Sequence, residues 1–250
     1  SDHAYGIPFT GSGTEASIKS LTVGDLRRFH RDFIRPDNVG ILVAGDTTMA
    51  EITAELDRVF GDWDAAETPV PTKNIGKVNA QKKPRVFLVD RPGSPQTLIL
   101  TGLLAPSTRA PNNLETQTMN GAYGGTFTSR LNMNLREDKR WAYGASSFLP
   151  DAIAQRPFMT YASVQTDKTA ESVAEVLKEA RQVIGDKPLT DAEISKIKLG
   201  NVRELPGSFE TTGSVLSVLS RNALYDRPDN YVDTLKSRIE GMKDADVEAA

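Results

Sequence analysis

The chain of 250 residues contains no cysteine and two histidines, His3 and His30. Without cysteine there is no disulfide, no thiolate metal site and no cysteine nucleophile, and the composition suits either the cytoplasm or the periplasm. The two histidines are far apart in sequence, so they cannot form H-x-x-E-H on one helix, where two imidazoles hold zinc and the Glu between them is the base for its water. His3 falls in a Gly-, Ser- and Thr-rich start and reads as an exposed loop residue. His30 has no second His at i+4 and reads as a core-edge or solvent residue. No apolar run approaches the roughly 18–20 residues of a membrane span. Neither sign of charge dominates. Thirty Lys and Arg against 33 Asp and Glu leave a net −3, and the scattered bases outline no nucleic-acid surface. With 38% hydrophobic and 25% charged residues, the chain has the composition of a globular protein and enough length for a sizeable core.

Taken in order, the patterns predict an α+β architecture, an antiparallel or mixed sheet with helices packed mainly on one face. Thr22, with Asp25 three residues later, caps a helix whose apolar side carries Leu26, Phe29 and Phe33 and which ends at Pro36. The nearly all-apolar run 39–45, VGILVAG, predicts a covered strand. Residues 46–48 cap a second helix with Ile52, Leu56, Val59 and Phe60 on one side. Residues 64–84 hold three prolines and little periodicity and read as a linker. From Arg85, RVFLVD and QTLILTGL read as strands about an RPGSP turn, and PNNLETQTMNGAYG as a helix. YGASSFL and PFMTYASVQ read as antiparallel strands joined around residues 151–156. Four helices follow, the second opened by a Thr190–Glu193 capping box. Residues 18–26 and 239–247 share the pattern I-x-x-Φ-x-x-small-D-Φ (Φ apolar), an internal repeat. It implies that a second copy of the helix–strand–helix module begins where the chain ends.

Residues 124–144, GGTFTSRLNMNLREDKRWAYG, organise the second part. Gly124-Gly125 punctuate the preceding helix and are too short for a phosphate loop. Thr126, Thr128 or Ser129 then caps a new helix. Phe127, Leu131 and Leu135 recur at helical spacing and are expected to face a core. Arg136 lies near the helix end, where the dipole favours a cation, and by itself reads as a surface cation paired with Glu137 or Asp138. Tyr143 opens the next strand. Together they bring a guanidinium fork and a phenol to one mouth, with no nucleophile, base or metal ligand.

This stretch resembles the insulinase/pitrilysin-type zinc peptidases (M16), which include the mitochondrial processing peptidases and bacterial relatives. The family reads roughly GG-x-x-SRL-x-x-x-LRE-x-x-x-x-AY, and Gly124, Gly125, Ser129, Arg130, Leu131, Leu135, Arg136, Glu137, Ala142 and Tyr143 match it in spacing. The resemblance runs from HAYG at residues 3–6 to the final helix. Trp141 departs from it, standing where the family has a small or apolar residue. The resemblance implies a truncated, duplicated-domain metallopeptidase-like fold. Residues 1–63 would be the C-terminal part of a first domain, 64–84 the linker, and 85–250 a second, zinc-free, substrate-binding domain lacking its last strand. It also implies that Arg136 and Tyr143 contact the substrate backbone and stabilise the tetrahedral intermediate. Zinc would be held not here but in a complementary H-x-x-E-H half, a domain or a partner subunit, and the substrate would be a peptide or protein. A non-catalytic scaffold or assembly subunit of the same superfamily is the alternative. Arg130 reads as structural, buried against carboxylates.

Overall fold

The computed structural model describes residues 11–73, 75–80 and 83–250; the HAYG segment with His3 lies outside them. The chain divides into two compact units, one comprising Ser1–Val78 with Glu210–Ser220 and the other Asn79–Phe209 with Arg221–Ala250.

The first unit carries α1 (Glu15–Ser20), α2 (Val23–Phe33) and α3 (Met49–Phe60). Each opens with a complete capping box, Thr14–Ser17, Thr22–Asp25 and Thr48–Glu51, in which the two side chains satisfy each other's free backbone N–H groups. Buried Arg35 ties this unit together: its guanidinium meets Asp37 and donates to the carbonyls of Ala66 and Thr68. His30 is exposed.

The second unit is built on a three-stranded antiparallel sheet in the order β1-β3-β2: β1 (Gln96–Ala105), β2 (Ala142–Phe148) and β3 (Arg156–Gln165). β1 and β3 pair without interruption from Gln96↔Gln165 to Ala105↔Arg156. Alternation puts Ile99, Ala162 and Val164 on the covered face, and Leu98, Leu100 and Tyr161 on the open one. The helical elements are α4 (Asn113–Asn120), α5 (Arg130–Asn132), α6 (Thr169–Val183), α7 (Asp191–Glu204), α8 (Thr212–Leu224), α9 (Tyr231–Gly241) and α10 (Asp244–Glu248); α8 straddles the division between the units. α4 runs on as a π-helical turn over Gly121–Gly125, and α5 as another over Met133–Asp138. Leu131, Leu135 and Val176 pack on the sheet with Ile99, Ala145, Ala162 and Val164. A second core joins Ala122 to Leu189, Ile194, Ile197, Met242 and Val247.

Two expected strands do not form. Residues 39–45 and 85–90 have no strand pairing, and Val86, Phe87, Leu88 and Val89 are 80–92% exposed. Their apolar composition is that of a strand, but a strand exists only where its N–H and C=O groups find a neighbour, and no strand among the described residues supplies one. The repeat, by contrast, recurs in geometry. Leu21 ends α1 and Met242 ends α9, both in extended conformation, and each donates its N–H back to an isoleucine, Ile18 or Ile239. In each copy the next helix begins two residues later with Asp25 or Asp246 in its first turn.

Candidate functional site

The site grows from a close approach between helix and strand. A Cβ on Gly124 would lie 2.8 Å from both the Cβ and the backbone N of Ser147 in β2, and one on Gly125 would lie 2.8 Å from Asn120 Nδ2. Only glycine lets the π-helical turn sit this tightly on the strand. Ser147 Oγ donates to Asn120 Oδ1 at 2.6 Å and fastens the two together. The chain then turns through residues 126–129 into α5. Ser129 is the N-cap residue, but no side-chain cap bond forms and its hydroxyl is buried without a partner. The expected side-chain cap is thus absent, and the Ser129 N–H donates to the Thr126 carbonyl in the turn before the helix.

Leu131 and Leu135 are fully buried as expected, but Phe127 is 60% exposed. It lies in the turn before the helix begins, so the helical period that places the leucines does not apply to it. Its ring instead faces the Arg136 guanidinium, with Cζ 4.5 Å from the ring centroid. On the other aromatic partner, Tyr143, the same Cζ lies 5.4 Å from the centroid.

Tyr143 reaches this position through a break in the sheet. Ala142 pairs with Val164 and Ala145 with Ala162, so β2 carries one more residue than β3 across this interval. Such a bulge re-aims side chains. Buried Asn132 holds it: Oδ1 accepts the Ala145 N–H at 3.1 Å, and Nδ2 donates to the Phe127 carbonyl at 2.6 Å. One side chain therefore fixes both the strand that presents Tyr143 and the turn that presents Phe127. The sequence contains no signal for this, because the bond depends on α5 lying against β2. π-Helical turns and bulges both cluster at functional sites, and here they adjoin.

Arg136, Tyr143, Phe127 and Asn132 line one open cavity of about 690 Å³, with Tyr161, Ser163 and Gln96 on the sheet side. Among the described lining residues Arg136 is the one that is ionised. Its Nε also meets Glu137 Oε1 at 3.3 Å, so the surface pairing read from sequence and the shared cavity coexist. With one cation, two phenols and, among the described lining residues, no carboxylate, imidazole or thiolate, the cavity can donate hydrogen bonds to carbonyl or anionic oxygen, and these residues offer no general base or zinc ligand. Among the described residues, no three His, Cys, Asp or Glu come together as metal ligands, and no helix is long and apolar enough to cross a membrane.

Arg130 lies elsewhere. Its side chain is 8% exposed and grips Glu193 through both carboxylate oxygens at 2.6 Å, while donating to the carbonyls of Lys187 and Pro188. These bonds clamp the start of α5 to the start of α7. The Arg130 hydrogen bonds, with the Thr190 N–H and hydroxyl, hold the Glu193 carboxyl at a pKa of about 2 against burial.

The sequence profile described as the Peptidase M16 inactive domain matches residues 20–201. The chain belongs to this family, as an inactive domain of zinc-protease homologues. An uncharacterised zinc protease of Streptomyces coelicolor is 24% identical over 255 residues, covering 99% of this chain and 54% of that protein. One of Mycobacterium bovis is 28% identical over 226 residues, covering 89% and 50%. The chain thus spans about half the length of the curated relatives it matches. A protease from Helicobacter pylori of known structure superposes with a TM-score of 0.84 at 19% identity, covering 95% of this chain and 57% of that chain. The α+β fold is the one these structures share.

Proposed function

We propose that this chain is the substrate-binding, zinc-free half of a zinc metalloendopeptidase. Residues 1–63 would belong to the end of a first peptidase-like domain, 64–84 to a linker and 85–250 to the second domain. The observation that carries the reading is the convergence of Arg136 and Tyr143 on one cavity whose described lining residues offer hydrogen-bond donors but no general base or metal ligand.

In this reading a peptide lies across the cavity, with backbone carbonyls near the scissile bond within reach of the Arg136 fork and the Tyr143 hydroxyl. Donors fixed before reaction stabilise an oxyanion without reorganising at the moment of attack. Phe127 and the Tyr143 ring hold the guanidinium by its faces, which leaves its edge N–H groups for substrate. Asn132 fixes the strand that presents Tyr143 and the turn that presents Phe127, whose ring faces Arg136. Zinc, its bound water and the general base would come from an H-x-x-E-H domain or subunit.

The test mixes this chain with a separately made H-x-x-E-H half and follows cleavage of a fluorogenic peptide. Arg136→Ala and Tyr143→Phe should each lower turnover by roughly ten- to a thousandfold, as loss of one transition-state donor does. Melting should shift by about 1 kcal/mol or less. Full activity from both variants would instead favour the assembly-subunit reading.

A further inference from the structure

The second unit contains another hollow, of about 370 Å³, that shares no lining residue with the first. Its walls come from the chain entering α4 and the chain entering α9. Three arginines line it, Arg109, Arg227 and Arg238, against one carboxylate, Asp226. In a chain of net charge −3, this is a local reversal of sign.

The three cations are not equivalent. Arg109 is already engaged, donating to Asp226 Oδ2 at 2.7 Å and to the Leu224 carbonyl at 3.0 Å. Arg227 and Arg238 reach no carboxylate among the described residues. Both are held on the Tyr231 ring, with Cζ 4.4 and 5.1 Å from its centroid, and Arg227 also lies 5.6 Å from the Tyr225 centroid. An aromatic face steadies a guanidinium but uses none of its N–H donors. Two cations gathered on one ring repel each other and are relieved by an anion between or beside them.

The floor of the hollow is buried and hydrogen-bonded. Thr108 is 5% exposed; its hydroxyl accepts from Arg156 and from the Ala152 N–H, and Arg156 also meets Asn113 Oδ1. Arg156 is itself 1% exposed, and its carboxylate partner Asp151 is shared with Arg221 at the same 3.4 Å. Excess positive charge thus lies behind the floor as well as on the walls. α4 and α9 begin at Asn112 and Asn230 without a side-chain cap, and the acids of their first turns, Glu115 and Asp233, do not line the hollow. The first amides, of Asn113 and Tyr231, are taken by the carbonyls of Ala110 and Pro228, and the positive ends of the two helix dipoles add to the field that favours an anion. Asp226 holds a left-handed conformation, φ +50°, in the turn that brings buried Tyr225 and Arg227 to the same hollow. Strain of this kind persists where the surroundings over-determine it.

We propose that this hollow binds the dianionic phosphate group of a small phosphate monoester. Two unpaired guanidiniums call for two negative charges, and a tetrahedral group offers oxygens to donors arriving from several directions, which a planar carboxylate does not. The volume lies in the lower part of the ordinary range for small-molecule sites, ~300–1,000 Å³, leaving room for a small organic portion beside the Tyr225 and Tyr231 rings.

The experiment is calorimetric titration of this chain at fixed ionic strength with inorganic phosphate, glycerol phosphate and, as a dianionic carboxylate, succinate. Phosphate and glycerol phosphate should bind at millimolar concentration or below, and succinate at least about tenfold more weakly. Arg227→Gln with Arg238→Gln should weaken phosphate binding by roughly tenfold or more, as loss of charge-assisted bonds does. Arg238→Lys, which keeps charge but loses the fork, should lie between. Arg238 is exposed, so Arg238→Gln alone carries the test if the double variant misfolds. No phosphate binding at millimolar concentration, or unchanged affinity in the folded variants, would overturn the site. Succinate binding as well as phosphate would overturn the assignment to phosphate.

Discussion

Replacing Glu193 by Gln tests the clamp between the starts of α5 and α7. Glu193 receives two bonds from Arg130, and its Oε2 also accepts the Thr190 N–H at 2.8 Å. These hold its carboxyl at about 2 instead of the ordinary 4.5. The lowered value means that the folded state favours the charged form. The stabilisation is therefore complete above the unfolded-state pKa near 4.5 and is lost as pH falls from there towards 2. Lowering a carboxyl by this amount corresponds to roughly 3 kcal/mol. The Glu193 side chain is 32% exposed, and solvent screening brings the expected figure to about 2 kcal/mol. Gln keeps one acceptor oxygen for Thr190 but sets an amide NH2 against an Arg130 N–H, so it is the pH-dependent part of the difference that reports the charge. Urea unfolding in a Trp63→Phe background, where Trp141 against the sheet core is the one tryptophan left, reports the second unit. Glu193→Gln should be about 2 kcal/mol less stable at pH 7 and less than about 1 kcal/mol less stable at pH 3. A gap of equal size at the two pH values would refute the reasoning.

Gly124→Ala should destabilise the second unit by about 2 kcal/mol or more, read by the same urea transition, because the new methyl meets the Ser147 backbone N, which cannot move aside without breaking β2. Phe127→Ala should leave stability nearly unchanged, since the ring is mostly exposed. In the reconstituted peptidase assay it should lower turnover by only about three- to fivefold, the loss of one of two cation–π contacts, ~0.5–1 kcal/mol; a fall as large as that of Arg136→Ala would mean that Phe127 itself touches substrate.

The elements with strong local signals were legible. QTLILTGL and PFMTYASVQ were read as strands and form β1 and β3, the caps at Thr22, residues 46–48 and Thr190 marked α2, α3 and α7, and Gly124-Gly125 marked the end of the preceding helix but not the close approach to β2 that requires them. The runs 39–45 and 85–90 misled because apolar composition specifies what a strand would bury, not whether a neighbour is present to pair with it. At the site, Arg136 and Tyr143 were singled out by resemblance rather than by periodicity. What brings them together was hidden. Asn132 acts through a bond to the backbone of a strand thirteen residues away, and Phe127 left its expected core position because the helix starts after it. Neither event is encoded in local spacing; both depend on helix and strand already being packed.

In the proposed function this chain brings substrate contacts to chemistry housed elsewhere. The most direct measurement is zinc-dependent cleavage of a fluorogenic peptide by this chain alone, by the H-x-x-E-H half alone and by the two mixed, with metal content determined for each. The expected result is no stoichiometric zinc and no cleavage for this chain, weak or no cleavage for the other half, and restored proteolysis for the mixture. Zinc-dependent cleavage by this chain alone, or a mixture no more active than the H-x-x-E-H half, would contradict it.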